Sequence, residues 1–362
     1  MMDWKSCPPI PPRNGMATQF GLAGPVSGAS GNYILVAGGA NFENGMPWRG
    51  GVKAYHDEIF LLEEKSDGSL SWKENQIKLP LPLAYPACVT LKDRFISIGG
   101  ENDHGPLSKV LSYTFADGTV QIDSLPDLPD ELSSLGATVA GDQIYVAGGL
   151  DKNGATGGFF SLSLSHLELG WSKLPGLPVV LSHAVVAAQY DGHEIAVFVI
   201  GGRNKKGDLT EFLSSVFKFT PSDQKWVRVG DLQHEGKPVS VSAGTGIAFG
   251  NNQILLFGGD RGFFFNQTER MNIEIASVSD PVRKDSLLKR KDHFLTNHPG
   301  FSNLILVYNT LTGKWAEAGE IPGNAPVTTV AYSWKGKIVI PSGEIRPGVR
   351  TDKVIMVEMK EN

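Results

Sequence analysis

One short loop combines a carboxylate with two guanidinium groups in a pattern that suits proton transfer on an anionic substrate. Residues 342–352 read Ser-Gly-Glu-Ile-Arg-Pro-Gly-Val-Arg-Thr-Asp, so that Glu344, Arg346 and Arg350 lie close together along the chain. A carboxylate held near its target can act as a general acid or base, and an arginine can grip a substrate carboxylate through two parallel hydrogen bonds. The alternative interpretation is a structural salt bridge between Glu344 and one of the two arginines.

Five further polar residues in other loops are weaker candidates for contact with a substrate. Arg49 and Arg203 either hold an anionic group or form surface ion pairs. Asn41 and Asn266 either bind sugar hydroxyls or close Asx turns. Glu101 is a candidate second acid, or simply a solvated loop residue.

A sequence repeat positions these loops. In each copy of the repeat, an apolar run ends in a glycine pair, and the loop follows it. Examples are Tyr33-Ile-Leu-Val-Ala-Gly-Gly39 and Ile144-Tyr-Val-Ala-Gly-Gly149, and the second glycine recurs at positions 39, 100, 149, 202, 259 and 343. Each copy is flanked by further short strand patterns, which makes four strands a unit. Six such units at a period of roughly 50 residues are typical of kelch-type propeller blades.

The fold predicted from this repeat is all-β, a six-bladed kelch-type β-propeller that spans residues 1–362 as a single domain. The sixth unit ends after its third strand near Met359, and the segment from Trp4 resembles the fourth-strand segment from Trp171. The N-terminal segment is therefore expected to supply the outer strand of the last blade, which closes the ring and removes the open sheet edge. The loops after the glycine pairs should then meet at one mouth of the central channel. A β-sandwich of unrelated strands is the alternative, but it would not explain the matching termini.

Residues 262–302 form an insertion within blade five. A short helix is predicted over Ser286–Leu295, and Phe263-Phe-Phe265 could form a wall of the mouth. The insertion is either a lid over the mouth or a solvated basic helix.

Composition excludes several classes of protein. The 362 residues carry 33 basic and 38 acidic side chains, and a net charge of −5 gives no broad attraction to nucleic acid. No apolar run is long enough for a membrane helix, and the two cysteines, Cys7 and Cys88, permit neither a disulfide framework nor a Cys-rich metal site. The recorded N-terminus lacks the apolar stretch of a secretion signal, so we expect a cytoplasmic protein, or a periplasmic one if a signal has been removed.

The loop from Gly343 to Asp352 resembles a motif of a known family. Its pattern Gly-Glu-x-x-Pro-Gly-x-Arg-Thr-Asp is similar to that of the bacterial N-acetylneuraminate epimerases, also called sialic acid mutarotases, which are six-bladed kelch propellers. The likeness extends to the loop opened by Gly38-Gly39-Ala40 and to the insertion after Gly259. In those proteins the Glu loop lies in the middle of the chain, whereas here it lies near the end. This order resembles the cyclically permuted branch of the family.

The resemblance implies an isomerase that interconverts the α- and β-anomers of N-acetylneuraminate by acid–base ring opening and reclosure. It implies that Glu344 is the proton acceptor and Arg350 the arginine near the substrate, with no metal, nicotinamide or other cofactor. The expected partner is therefore a small sugar acid, with neither nucleic acid nor membrane, and the sequence defines no oligomeric state. The alternatives are a non-enzymatic kelch propeller that binds a protein or glycan, and a mutarotase for another sugar acid.

Overall fold

Short strands separated by glycine-rich turns form six four-stranded antiparallel sheets. The computed structural model describes residues 2–13, 15–74, 77–116 and 118–359. The prediction of an all-β, six-bladed propeller is confirmed. The two ends of the predicted 1–362 domain, residue 1 and residues 360–362, lie outside the described residues.

In each of the first three blades, strands a to d follow in chain order. Blade 1 consists of Val26–Ser30, Tyr33–Ala37, Ile59–Glu64 and Leu70–Lys73. Blade 2 consists of Ala87–Thr90, Phe95–Ile98, Val110–Ala116 and Thr119–Ser124. Blade 3 consists of Gly136–Ala140, Gln143–Ala147, Phe159–Ser163 and Trp171–Lys173.

The next two blades repeat this order, and the last one is assembled from both ends of the chain. Blade 4 consists of Val185–Tyr190, Ile195–Ile200, Ser215–Thr220 and Lys225–Asp231. Blade 5 consists of Thr245–Phe249, Gln253–Phe257, Leu304–Asn309 and Lys314–Glu320. Blade 6 consists of Tyr332–Trp334, Lys337–Pro341, Val354–Met359 and, from the N-terminus, Met2–Lys5.

The outer strand of blade 6 comes from the N-terminal segment, as predicted. Met2–Lys5 runs antiparallel to Val354–Met359, with Met2 opposite Met359 and Lys5 opposite Met356. This pairing joins the two ends of the chain within one sheet, so that blade 6 has four strands like the other five. Apolar clusters fill the spaces between neighbouring blades; one of them packs Ile34 of blade 1 against Val339 of blade 6.

The loop after strand b of five blades folds into a small hairpin on one face of the propeller. The hairpins pair Ala40–Asn41 with Ala54–Tyr55, Glu101–Asn102 with Gly105–Pro106, Leu150–Asp151 with Gly154–Ala155, Arg203–Lys206 with Leu209–Phe212, and Glu344–Arg346 with Val349–Arg350. A sixth hairpin, Gln233–His234 with Lys237–Pro238, connects blades 4 and 5. Two single 3-10 turns, Pro47–Arg49 and Leu167–Leu169, complete the regular structure outside the insertion.

Blade 5 carries two helices in place of the hairpin, α1 (Phe263–Ser277) and α2 (Pro281–Thr296). The helix predicted over 286–295 was therefore too short, and α1 was not predicted. Helix α2 begins earlier because Asp280 caps it by accepting a hydrogen bond from the Arg283 amide, with Pro281 at the first helical position. Helix α1 begins at Phe263, and its N-cap residue, Gly262, has no side chain to cap it, so its sequence lacks the usual start signal. No helix in the described ranges is long and apolar enough to cross a membrane.

The glycine pairs that end each strand b are required by the backbone. Both positions of every pair have positive φ, for example +61° at Gly258 and +108° at Gly259. A Cβ on Gly259 would lie 2.5 Å from a methyl group of Val241. The one exception in sequence, Ser342, also has positive φ, and its hydroxyl accepts from the Leu22 amide and donates to the Thr351 carbonyl. Those two bonds offset the cost of a side chain in the left-handed region.

Candidate active site

A closed ring of six backbone hydrogen bonds surrounds the channel on the face that carries the hairpins. One residue just before strand a of each blade donates its amide to the carbonyl of the equivalent residue in the preceding blade of the ring, over 2.7–2.9 Å. The six residues share positive φ values between +51° and +59°: Gly24, Tyr85, Ser134, His183, Ala243 and Thr328. Non-glycine residues in this region are uncommon and concentrate at functional sites. The ring therefore forms a rigid floor for the mouth.

A cavity of 560 Å³ opens above one part of this ring. The propeller lines it with residues that include Arg203, Asp260, Thr328 and Glu344. The insertion contributes the opposite wall: Phe264, Phe265, Thr268, Glu269, Asn272, Lys291, Leu295, His298 and Phe301. Pro47 and Trp48 from blade 1 complete the rim. A volume of this size, with apolar walls and a few convergent polar groups, is typical of small-molecule sites.

Three charged residues reach the cavity from equivalent positions in consecutive blades. Arg203, Asp260 and Glu344 each come directly after the glycine pair of blades 4, 5 and 6. Each is fixed by an antiparallel bridge to the residue that precedes the ring position of its own blade: Ser182, Ser242 and Val327, respectively. The repeat therefore places all three side chains at the same height above the floor.

Glu344 is held by its backbone and by one hydrogen bond. Its Oε1 accepts from the Gly348 amide over 2.8 Å, and the Arg350 Nη1 lies 3.7 Å from the same oxygen. The side chain keeps 20% of its accessible surface, so a ligand in the cavity can reach it.

Arg350 lies beneath this loop and does not line the cavity. Its side chain is 3% exposed and stacks on Phe42, with 4.7 Å between the guanidinium carbon and the ring centroid. Its Nε and Nη1 are buried, and neither has a hydrogen-bond partner among the described residues. Buried donors without partners are uncommon, so this guanidinium is available to an acceptor that moves or binds nearby.

Arg203 presents its guanidinium inside the cavity. Nη2 lies 3.0 Å from the Nε2 of His183, and the guanidinium stacks over Phe265 at 4.8 Å. Burial lowers the pKa of Arg203, although an arginine stays charged at physiological pH. Burial also holds the pKa of His183 well below its usual value. His183 is therefore neutral and can accept the hydrogen bond from Arg203.

His298 brings a neutral imidazole to the wall of the cavity. Its Nδ1 accepts from the Gly300 amide over 3.0 Å, which leaves the proton on Nε2. Burial, aided by the positive charge of Arg346, lowers its pKa to about 4. Arg346 itself is partly exposed, in the Glu344–Arg346 strand of the hairpin.

Two of the predicted binding residues, Glu101 and Asn41, lie outside the cavity lining and are fully engaged in hydrogen bonds. Glu101 accepts from the Tyr55 hydroxyl at 2.7 Å and from Ser133 Oγ at 2.8 Å, and Lys53 Nζ lies 3.3 Å away. Asn41 is buried; its Nδ2 donates to the Gly21 carbonyl, and its Oδ1 is 2.9 Å from the ring of His56. Their role in binding a substrate stays a prediction.

Arg49 and Asn266 also lie outside the lining residues. Arg49 forms a two-pronged ion pair with Asp292 of α2, and the indole of Trp48 donates to the same carboxylate over 2.9 Å. These contacts tie α2 to the blade 1 loop. Asn266 lies on α1, and its buried Oδ1 has no partner among the described residues.

The candidate site residues chosen from the sequence did not include Asp260, which lies in one of the loops expected at the mouth, or His298. Asp260 carried a signal, because it follows Gly259 as Glu344 follows Gly343. His298 carried none, since it reaches the cavity only through the fold of the insertion.

Among the described residues, no group of three or more His, Cys, Asp or Glu side chains is arranged to hold a metal ion. The chain is thus a six-bladed propeller with a candidate small-molecule site at its mouth.

The family model for N-acetylneuraminate epimerase matches residues 1–122 and 125–362. The chain belongs to the N-acetylneuraminate epimerase family.

Similar curated proteins carry the same name. The chain is 27% identical over 248 residues to an N-acetylneuraminate epimerase of Haemophilus influenzae (strain PittEE), which covers 66% of this chain and 60% of that protein. It is 25% identical over 241 residues to an N-acetylneuraminate epimerase of Salmonella typhimurium (strain LT2), which covers 64% of this chain and 57% of that protein. The aligned regions therefore span less than two thirds of the length of these relatives.

Proposed function

We propose that this protein is a sialic acid mutarotase, an isomerase that interconverts the α- and β-anomers of N-acetylneuraminate. The observation that carries the proposal is the carboxylate of Glu344 at the edge of a cavity that also holds the guanidinium of Arg203. Membership of the N-acetylneuraminate epimerase family supports the choice of substrate.

Anomer exchange requires a proton acceptor at the anomeric hydroxyl. When that proton leaves, the hemiketal opens to a ketone, and the ring oxygen can then attack the other face of the carbonyl. Glu344 is the proposed acceptor, and general acid–base catalysis contributes about 10²–10⁴-fold. Holding the substrate in one orientation adds to this acceleration.

The substrate carboxylate needs a cationic partner, and Arg203 is the best placed of the predicted arginines. Its contacts with His183 and Phe265 fix the guanidinium without an ion pair to any described carboxylate within 4.0 Å. Arginine is suited to a carboxylate because its planar fork can donate two parallel hydrogen bonds. Arg346 is proposed to help bind the substrate at the rim of the cavity.

Arg350 is proposed to act through Glu344 or on a ligand that reaches below the loop. Its Nη1 is 3.7 Å from Glu344 Oε1, slightly beyond hydrogen-bond distance. A small rotation of Glu344 would pair the two groups. Arg350 would thereby control the orientation of the carboxylate that accepts the proton.

The insertion is proposed to act as a lid. Its residues Phe264, Phe265 and Phe301 form an apolar wall, and the Arg49–Asp292 ion pair fastens α2 to the opposite rim. Deletion of residues 278–298 should raise KM for the sugar acid. An unchanged KM would show that the insertion does not cover the site.

The aromatic wall also favours a second candidate function, a propeller that binds a glycan without converting it. Aromatic side chains provide large apolar contact surfaces in binding sites. This candidate predicts binding that does not depend on the proton-accepting ability of Glu344.

Nuclear magnetic resonance of freshly released α-N-acetylneuraminate separates the two functions. The wild-type protein should speed the approach to the anomeric equilibrium, and Glu344→Gln should bind the sugar but lose most of the acceleration. If the wild type binds without acceleration, the protein is a binding module. If Glu344→Gln is fully active, the proposed mechanism is wrong.

A further inference from the structure

A second carboxylate, that of Asp260, lines the same cavity as Glu344. The two residues occupy equivalent positions in neighbouring blades, one residue after the glycine pair. Their backbone anchors, Ser242 and Val327, each directly precede a member of the hydrogen-bonded ring, and these two ring members are joined by the Thr328 amide and the Ala243 carbonyl at 2.9 Å. These backbone contacts therefore fix the positions of the two residues relative to each other.

Each of the two carboxylates has one oxygen with no hydrogen-bond partner among the described residues, and a ligand could therefore use it. Asp260 Oδ1 accepts from the Gly262 amide over 2.8 Å, and Glu344 Oε1 accepts from the Gly348 amide over the same distance. Within the described chain, no cationic group lies within 4.0 Å of the Asp260 carboxylate. Asp260 is only partly buried, but a carboxylate withdrawn from water without an ion pair is less stable in its charged form than one in solvent.

We propose that Asp260 is the proton donor to the ring oxygen of the sugar acid, working opposite Glu344. This inference rests on the proposed mutarotase function. Ring opening requires two proton transfers, at the anomeric hydroxyl and at the ring oxygen. Two fixed carboxylates can serve these two oxygens at the same time.

The proton balance closes over one cycle. Glu344 takes the proton of the anomeric hydroxyl. The oxygen of that hydroxyl becomes the carbonyl oxygen, and the bond from the anomeric carbon to the ring oxygen breaks. The electrons of that bond pass to the ring oxygen, which receives the proton of Asp260. The carbonyl group then rotates so that its other face points to the former ring oxygen. As this oxygen attacks the carbonyl carbon, Asp260 takes back its proton, and Glu344 returns its proton to the carbonyl oxygen, which becomes the new anomeric hydroxyl. Neither carboxylate is consumed, and no other reactant is needed.

The surroundings of Asp260 favour a protonated carboxyl group. Burial raises the pKa of Asp260, and the negative charge of Glu344 adds to this effect, while the Gly262 amide and Arg203 oppose it. The other charged or titratable groups on the cavity wall come from the insertion: Glu269, Lys291 and His298. The pKa of Asp260 is raised despite Arg203, which is the direction a proton donor needs.

The other acidic or basic groups of the cavity wall suit the donor role less well. Glu269 accepts from Lys205 Nζ at 2.6 Å and from the amide and hydroxyl of Thr210 at 2.7 and 2.9 Å. Burial raises its pKa, but these contacts outweigh burial and lower it overall. His298 is neutral with its pKa at about 4, and a neutral imidazole is a weak acid.

The test is the pH dependence of kcat for α-N-acetylneuraminate, with the uncatalysed rate subtracted. Asp260→Asn keeps an acceptor for the Gly262 amide but has no acidic proton to transfer to the ring oxygen. We expect its kcat to fall by about a hundredfold or more, with KM within a few fold of the wild type. Wild-type kcat should decline as pH rises through the pKa of Asp260. The residual activity of Asp260→Asn should lack this decline, and Asp260→Glu should restore part of the rate.

Asp151→Asn is the matched control. Asp151 lies in the hairpin that follows strand b of blade 3, where its side chain accepts from two backbone amides, those of Asn153 and Gly154, as Asp260 accepts from one, and it does not line the cavity. This variant should keep wild-type kcat and pH profile.

Several results would overturn the inference. One is an Asp260→Asn variant that keeps wild-type kcat and its decline at high pH; another is a variant that raises KM alone, which would make Asp260 a binding residue. If Asp260→Asn fails to fold by circular dichroism, the wild-type profile decides, because a flat kcat at high pH excludes a protonated donor. A wild type that does not accelerate anomer exchange refutes the mutarotase function itself. If the wild type accelerates anomer exchange and Asp260→Asn has the same kcat and pH profile, only the donor role is refuted.

Discussion

Two glutamates, Glu101 and Glu344, occupy the same position of the repeat in different blades, yet their surroundings differ. Glu101, after the glycine pair of blade 2, is bonded to Tyr55 and Ser133 and lies near Lys53. Glu344, after the glycine of blade 6, accepts a single backbone amide and faces the cavity. A carboxylate saturated by donors is stable but poorly available for proton transfer. One backbone position thus holds a hydrogen-bonded carboxylate in one blade and, in another, the carboxylate proposed as proton acceptor.

The same contrast extends to the residues around each glutamate. We call Arg203, Asp260 and Glu344 the open sector, and Asn41, His56 and Glu101 the paired sector. In the paired sector, Asn41 forms a hydrogen bond with His56, whose other ring nitrogen, Nδ1, lies 3.0 Å from the guanidinium nitrogen Nη1 of Arg13. In the open sector, the three charged groups have no ion pairs with each other within 4.0 Å. Polar groups that do not satisfy one another are available to a ligand, which is why the open sector is the better candidate for the site.

The largest expected effect compares the two glutamates directly. Glu344→Gln should reduce kcat for anomer exchange by about 10²–10⁴-fold, because the amide cannot accept the proton. Glu101→Gln should change kcat by no more than about threefold, and should lower the free energy of unfolding by about 1 kcal/mol through weakened hydrogen bonds. Anomer-exchange kinetics and urea unfolding of both variants measure these effects. A larger loss of kcat in Glu101→Gln than in Glu344→Gln would reverse the assignment of the two sectors.

The next effect compares two arginines. Arg203→Met should raise KM for the sugar acid by about 10- to 100-fold, since hydrogen bonds to charged groups contribute about 1.5–3 kcal/mol. Arg203→Lys should recover only part of the affinity, because an ammonium lacks the planar fork. Arg49→Met, which removes the ion pair to Asp292, is the comparison. Initial-rate kinetics over a range of sugar concentrations give KM for all three variants, and equal KM changes for Arg203→Met and Arg49→Met would remove the special role of Arg203.

A third prediction concerns stability in acid. Burial lowers the pKa values of His56, His183 and His298. A histidine with a lowered folded-state pKa stabilises the fold above its unfolded pKa of 6.5, and this contribution is lost as pH falls toward the folded value, about 4 for His298. For His298 the loss amounts to about 3 kcal/mol.

Chemical unfolding between pH 7 and pH 4 measures this loss. His298→Asn keeps an acceptor near the Gly300 amide but does not titrate, so its stability should depend less on pH than that of the wild type. Identical pH dependence in the two proteins would contradict the predicted shift.

The smallest expected effect concerns the ion pair that joins the insertion to the loop of blade 1. Asp292→Asn weakens the ion pair with Arg49, whose side chain is 54% exposed. Exposed pairs contribute about 0.2–1 kcal/mol, so thermal unfolding should shift by no more than a few degrees. A large rise in KM without a change in stability would mean that this pair controls closure of the insertion over the cavity.

Much of the fold could be predicted from local sequence. Glycine pairs recur because strand b ends in two residues of positive φ, as at Gly258 and Gly259, and this steric need is visible in the sequence. The pairing of Met2 with Met359 followed from a missing strand at one end and a spare strand at the other. Helix α1 was not predicted, because it begins without a capping side chain and with three phenylalanines.

By itself, the sequence determined the number of blades, the closure of the ring and the set of loops that meet at one mouth, since all three depend on backbone periodicity. Only the tertiary structure decided which charged groups at that mouth are neutralised and which are not. Glu101 and Glu344 have the same repeat position, and they differ because Tyr55 and Ser133, from adjacent blades, lie within hydrogen-bond distance of one and not of the other. Hydrogen bonding depends on ångström-scale distances between residues far apart in the chain. That is why only the assembled blades distinguish Arg203 from Arg49 and bring Asp260 into the same cavity as Glu344.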